Sequence, residues 1–380
     1  MTISQSQPAS SMSDRASSKS VYAAAVDDAA AFRKGILTMR RWLSVVAILS
    51  TVAIALILLC LQIGTQYVSF GEILRIMGRA IGILDHRANE SSITDTIVLQ
   101  LRMPRVLLGF LVGSSLASVG VILQALLRNP LADPYILGVS SGSALGVSLA
   151  VLFGLGGTAW LIPTLPIYGF LGGLLALTVL YRMSATCDRV PVHSVLLAGV
   201  ILNAIFSALI MFITSIMEPN RAFGMMAWLM GSLTATADPT LLGLFIYLTG
   251  CLAWLFKQVT VLNIMTLGEE PARSLGIDTE RAKRSILMTA ALVSGAVVSV
   301  SGMIGFIGMV VPHAVRLVLG ADHRLLLPAS ALVGGMFLMT ADTFARSVFA
   351  PSELPVGIMT ALAGGPFFIY LLVWRKDRLA

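Results

Sequence analysis

Residues 285–315 read SILMTAALVSGAVVSVSGMIGFIGMVVPHAV, an unbroken run without Asp, Glu, Lys or Arg. About 20 apolar residues make one helical crossing of a bilayer, so this run is long for one helix and short for two. Gly302, Gly305 and Gly308 sit near its middle, where glycine weakens a continuous helix through its backbone freedom. Whether the stretch crosses once or twice decides the sidedness of everything after it.

The rest of the chain is built the same way. Charge-free runs occupy 42–63, 106–127, 134–181, 190–217, 239–256, 325–341 and 354–374. The run 134–181 holds two helices, with a turn signal at Pro163 and Pro166. The count is therefore nine or ten. Of the 380 residues, 57% are hydrophobic and 12% charged, and the mean hydropathy is +0.88. Soluble domains carry about 25% charged residues. Composition excludes a soluble globular fold and defines an all-α polytopic membrane protein.

Charge distribution chooses between the two counts. Ten crossings with both termini cytoplasmic place Arg75, Arg79, Arg87, Arg102, Arg105, Arg221 and Arg346 outside and the other 19 of the 26 Lys and Arg inside. Nine crossings turn the C-terminal part over, and the split falls to 15 against 11. The positive-inside tendency favours ten transmembrane helices.

Eight of the first twenty residues are serine, so residues 1–31 read as a disordered cytoplasmic tail that buries too little to fold. Residues 32–380 are the membrane domain. A cleaved secretory signal fits poorly, because Arg33, Lys34, Arg40 and Arg41 come late and the apolar run after them is long enough to span. A lipoprotein signal at Cys60 fails on the bulky Leu59 before it. Two segments, 68–101 and 222–237, are expected not to cross. The second reads as an external or partial helix, with interfacial packing or a cargo contact both open.

Cys60, Cys187 and Cys251 are far apart and build neither a disulfide framework nor a Cys-x-x-Cys site. The net charge of +7 is scattered between apolar runs, which argues against nucleic-acid binding. His193 and His313 lack a second ligand at helical spacing, so no metal site is expected. No nucleophile has an evident partner, leaving an intramembrane enzyme unsupported. An ion-coupled secondary transporter needs an ionisable group near mid-bilayer. Asp133, Arg316, Asp342 and Arg346 fall in a loop or at span ends, so that rival lacks its relay. No G-x-x-x-x-G-K-[ST] loop occurs, so the chain is no ATPase itself. Small-residue patterns such as Gly109/Gly113, Gly138 to Gly146 and Gly364/Gly365 suit close helix packing.

Several segments together resemble one family of permeases. They are LRMPR at 101–105; LRNPLADP at 127–134 with LGVSSG at 137–142; LGEEPARSLG at 267–276; GFIGMVVPH at 305–313 with DHRLLLP at 322–328; and ELPVG at 353–357. In this order, from about Leu43 to the C-terminus, they are similar to the FecCD family, the permease subunits of iron-siderophore, vitamin B12 and haem ABC importers.

The resemblance implies a type II importer permease fold of ten helices, working with a second permease subunit, identical or a paralogue. Two cytoplasmic ATPase subunits carry the Mg-ATP, and this chain carries no cofactor. An external binding protein delivers cargo, and the protein sits in a bacterial inner membrane. A ferric siderophore is the expected cargo, cobalamin or haem the alternative. Arg102, Arg105 and Arg346 match positions that dock acidic residues of the binding protein; headgroup contact or local ion pairing is the competing role.

Gly268, Glu269, Ala272, Arg273, Leu275 and Gly276 match the coupling helix that seats in the ATPase. Independently of the family, Pro271 suits a first helical turn, Gly276 its stop and Asp278 the cap of the next helix. The short helix is expected to present Ala272 and Leu275. The loop 128–133 reads as structural, with an ATPase contact as its lesser option, and Arg221 has no assigned role.

Overall fold

The computed structural model describes residues 37–64, 66–80, 93–159, 162–184, 192–234, 238–348, 350 and 352–374. The Ser-rich segment 1–31 lies outside the described residues. The chain divides into a short unit, Met1–Val45, and a main unit, Val46–Ala380.

In chain order the helices are α1 (Met39–Gln62), α2 (Phe70–Ala80), α3 (Ile93–Leu126), α4 (Val139–Leu152), α5 (Thr164–Ser184), α6 (Val192–Ile216), α7 (Pro219–Leu229) and α8 (Asp238–Lys257). They continue as α9 (Val259–Met265), α10 (Glu269–Ser274), α11 (Thr279–Ser301), α12 (Ile307–Leu319), α13 (His323–Ser347) and α14 (Val356–Trp374). The β-structure described is one antiparallel pair of two-residue strands, Thr158–Ala159 with Ile162–Pro163. Among the described residues seven helices, α1, α3, α5, α6, α8, α11 and α13, are long and apolar enough to cross a membrane. Three shorter apolar helices, α4, α12 and α14, bring the set to the ten expected. The run 285–315 does break in two. Gly302 ends α11 in the left-handed region at φ +66°, and α12 starts five residues later.

Helix α3 is the centre of the bundle: nearly all its side chains from Pro104 to Leu126 are buried. Its principal neighbour is α13, and the two approach through glycine. A Cβ on Gly113 would run into the Gly334 carbonyl, and one on Gly120 into the Gly308 carbonyl of α12. In hydrocarbon, where burial of apolar surface gives no net drive, such backbone contact supplies the packing energy. Some buried serines satisfy themselves locally: Ser118 donates to the Ser114 carbonyl at 2.7 Å and Ser294 to the Ala290 carbonyl at 2.8 Å.

Two boundaries differ from the sequence reading. The helix expected at 106 begins at Ile93, with a π-helical turn over Ile97–Arg102. Arg102 and Arg105 thus lie on the helix instead of ahead of it, because charged side chains there find partners within the fold. The second difference is α4. With 14 residues it is about 21 Å long and cannot cross the roughly 30 Å hydrocarbon core alone.

The chain first folds back into the bundle. Arg128 takes a left-handed backbone (φ 47°) and donates to the Met265 carbonyl at 2.9 Å. Asp133 then caps a 3-10 turn, Pro134–Leu137, by accepting from the Tyr135 N–H at 2.9 Å. Pro134 packs on Gly308 beside the Leu116 carbonyl, more than two turns in from the end of α3. The loop 128–133 is an entry into the bundle.

Candidate docking and coupling surfaces

The three arginines come together at one end of the bundle, although Arg346 is far from Arg102 and Arg105 in sequence. Arg346 Nη2 donates to the Cys60 carbonyl at 2.9 Å. Arg102 Nη1 donates to the next carbonyl, Leu61, at 2.9 Å, and Nη2 reaches the Gln66 carbonyl. Two guanidinium groups thus hold the last carbonyls of α1, which have no partner within the helix and form the negative end of its dipole. Both arginines are buried, Arg102 at 4% and Arg346 at 8% exposure. Arg105 grips Asp342 of α13 with two bonds, Nε to Oδ2 at 2.9 Å and Nη2 to Oδ1 at 3.0 Å. Its remaining Nη1 holds Glu353 at 2.8 Å, and Glu353 is 58% exposed. None of the three stands free.

A third element shares this end. Helix α7 finishes at Gly231 (φ +84°), whose carbonyl accepts from the Val356 N–H at 3.1 Å, while the Ser232 N–H donates to the Ser301 carbonyl at 2.9 Å. These bonds tie α7 to the end of α11 and the start of α14. Residue 354 bonds back to the Ala345 carbonyl, next to Arg346. Phe223, Met226 and Met230 leave an exposed apolar face on α7. It is a helix too short to cross, as its sequence suggests.

The opposite end carries α10. Helix α13 runs from His323, whose backbone N–H donates to Asn263 of the adjoining α9, to Arg346. At 1.5 Å per residue that is about 35 Å. Helix α10 lies between Gly268 (φ +136°) and Gly276 (φ +82°), conformations that L side chains rarely adopt.

Four alternating charges fix α10 to the start of α11. Lys283 Nζ meets Glu269 at 2.7 Å and Glu280 at 3.1 Å. Arg273 lies 3.7 Å from Glu269 and 3.5 Å from Glu280, and its Nε donates to Thr279 at 3.0 Å. Asp278 caps α11 by accepting from the Arg281 N–H, as its position suggested. One expectation is corrected: Ala272 is fully buried and packs into the main core, because the charge lattice turns that face inward. Leu275, at 65% exposure, and Leu267, at 71%, are the apolar side chains presented.

Sequence reasoning missed the partners. Asp342 stands one turn before Arg346 in an otherwise charge-free span, a signal that could have paired it with an arginine. Glu353 opens a motif already singled out. Nothing in the sequence marks the carbonyls of α1 as acceptors. Glu280, Lys283 and Thr279 lie just beyond the coupling motif. Among the described residues no cluster of His, Cys, Asp and Glu could hold a metal ion, and His193 and Cys187 lie where no side chain is described.

Among the described residues, ten apolar helices with charged lattices at both ends and no ion pair through the middle suit a membrane-embedded body. The FecCD transport family matches residues 51–374, and the chain belongs to that family. It is 42% identical over 288 residues to the hemin transport system permease protein HmuU of Yersinia pestis, covering 74% of this chain and 84% of that one. It is equally 42% identical over 288 residues to the cobalamin import system permease protein BtuC of Halobacterium salinarum, covering 74% of each. A probable iron chelatin transport system permease protein of Helicobacter pylori is 39% identical over 283 residues, 74% of this chain and 84% of that one. Among solved structures, a metal-chelate type ABC transporter in an inward-facing conformation is similar with TM-score 0.74 and 29% identity, covering 88% of this chain and 99% of that one. The three sequence relatives are named as permease proteins of transport or import systems.

Proposed function

We propose that this chain is the membrane subunit of a binding-protein-dependent importer for a ferric siderophore. It would work as a dimer with a second permease subunit and two ATPase subunits on the side of α10. The observation that carries the reading is the separation of two charged lattices at opposite ends of one continuous helix pair, α3 and α13. The end holding Arg102, Arg105 and Arg346 would receive an acidic external binding protein. Arg105 is the group best placed to do so, since its hold on exposed Glu353 is exchangeable, while Arg102 and Arg346 keep α1 in position beneath it. Exposed pairs of this kind contribute about 0–1 kcal/mol, so they set orientation and encounter rate more than affinity.

At the other end Leu267 and Leu275, with the glycines that bracket α10, would fill a cleft of the ATPase, and Gly268, Glu269, Ala272, Arg273 and Gly276 would hold that shape. On this reading both termini would lie in the cytoplasm of a bacterium and the protein in its inner membrane. Mg-ATP would bind on the ATPase, with no cofactor on this chain.

Haem or cobalamin is the second cargo reading, favoured by the names of the relatives at 42% identity. Uptake of radiolabelled ferric siderophore by cells expressing the whole importer is expected to stop on ATP depletion and to persist with an uncoupler while ATP is maintained. Loss with the uncoupler alone would return the secondary-transporter reading. Competition by haem or cobalamin, with no uptake of siderophore, would move the cargo and leave the importer reading standing.

A further inference from the structure

A shallow, apolar-walled cleft opens between α5, α6 and α11 at the α10 end of the bundle. Leu137, Leu177, Leu180, Tyr181 and Leu287 line it, and one cation, Arg284, stands in it. Arg284 is placed unlike its neighbours. Arg281 pairs with Asp278 at 2.9 Å and Lys283 with Glu269 and Glu280, whereas among the described residues Arg284 has no acidic partner. Its guanidinium carbon lies 5.3 Å from the centroid of the Tyr181 ring, and its buried Nε has no acceptor among the described residues. A cation–π contact leaves in-plane N–H donors unmet, and an unmet donor against apolar walls costs free energy that the surroundings must offset.

We infer that this cleft binds one anionic phospholipid of the adjoining leaflet, its phosphate on Arg284 and the upper part of an acyl chain along Leu177, Leu180 and Leu287. Guanidinium and phosphate match in charge and in planar donor geometry. A basic pocket between transmembrane helices is a recurrent headgroup site. A soluble anion gains nothing from the leucine walls, and a zwitterionic lipid brings its own cation beside Arg284. The lipid would brace α5 against α11, the helix whose first two turns hold α10 through Thr279, Glu280 and Lys283. The site depends only on the chain lying in a membrane, so it stands or falls apart from the cargo and docking assignments.

The test uses the full chain purified in detergent. Unfolding temperature is measured with phosphatidylglycerol, with phosphatidylcholine of the same acyl chains, and with sn-glycerol 1-phosphate. Phosphatidylglycerol is expected to raise it above the other two. Arg284→Gln should weaken the apparent affinity for phosphatidylglycerol about fivefold, the effect of one basic group near a charged lipid surface, and Arg281→Gln should leave it unchanged. Leu177→Trp, which keeps the charge and fills the cleft, should also abolish the preference. Equal effects of the two lipids on the parent chain overturn the proposal. So does a preference retained by Arg284→Gln, or a shift with glycerol phosphate equal to that with phosphatidylglycerol.

Discussion

Arg105 is the residue on which the end of the bundle holding Arg102 and Arg346 turns. Its bond to buried Asp342 is bidentate, while its bond to Glu353 reaches solvent. Removing one member of a buried pair leaves the other uncompensated and costs about 3–5 kcal/mol, whereas an exposed pair contributes about 0–1 kcal/mol. Asp342→Asn is therefore expected to destabilise the detergent-solubilised chain by about 3–5 kcal/mol in a denaturant titration. Glu353→Gln should be near neutral in the same titration. It should also tighten binding of the cognate external protein in a surface plasmon resonance assay, because it removes the carboxylate competing for Arg105 Nη1. Unchanged or weaker binding would argue that Arg105 takes no part in docking. Arg102 and Arg346 were legible in sequence as cations on the disfavoured side of the membrane, but not as clamps on α1. Their acceptors are backbone carbonyls, which every residue has and no pattern advertises.

Among the elements, α10 has the sharpest division of labour. Ala272 seats it and Leu275 is offered outward. Ala272→Leu inserts bulk into a filled site, and overpacking costs about 1–3 kcal/mol; the expected result is lower thermal stability together with lost coupling. Leu275→Asp should leave the unfolding temperature alone and weaken capture of the ATPase subunit in a pull-down. If both variants behave alike, the inward and outward assignments fail. The sequence showed this helix through Pro271, Gly276 and Asp278, all local signals. It did not show which face turns in, since that depends on Lys283 and Glu280 in the next helix. For the same reason a reading from charge gaps shortened α3 by more than a turn: it ends a helix wherever a charge occurs, and Asp95, Arg102 and Arg105 are charges whose partners lie in other elements.

For the whole molecule, the spacing of charges gives nine or ten apolar runs, and the bias of Lys and Arg selects ten and sets the expected sidedness. Depth does not follow. Nothing in 127–138 says that the chain re-enters the bundle before α4 begins, because Asn-Pro and Asp-Pro read as turns at any level. Single-cysteine labelling in sealed vesicles tests the global scheme. Cysteines at 353 and 275, both exposed, are expected to react from opposite sides with a membrane-impermeant reagent. Labelling of both from one side would reverse the assignment of every helix after α10.

The seating of Pro134 on Gly308 has a mechanical corollary. Helices α3 and α13 run from one charged lattice to the other, α3 through its π-helical turn and α13 through Pro328, while α12 begins partway along α3, beside Pro134. A displacement at one rim would be carried to the far rim along α3 and α13, whereas at Pro134 and Gly308 two separate segments touch with no shared ladder of hydrogen bonds between them. Continuity and interruption are thus sorted into different helices of the same bundle.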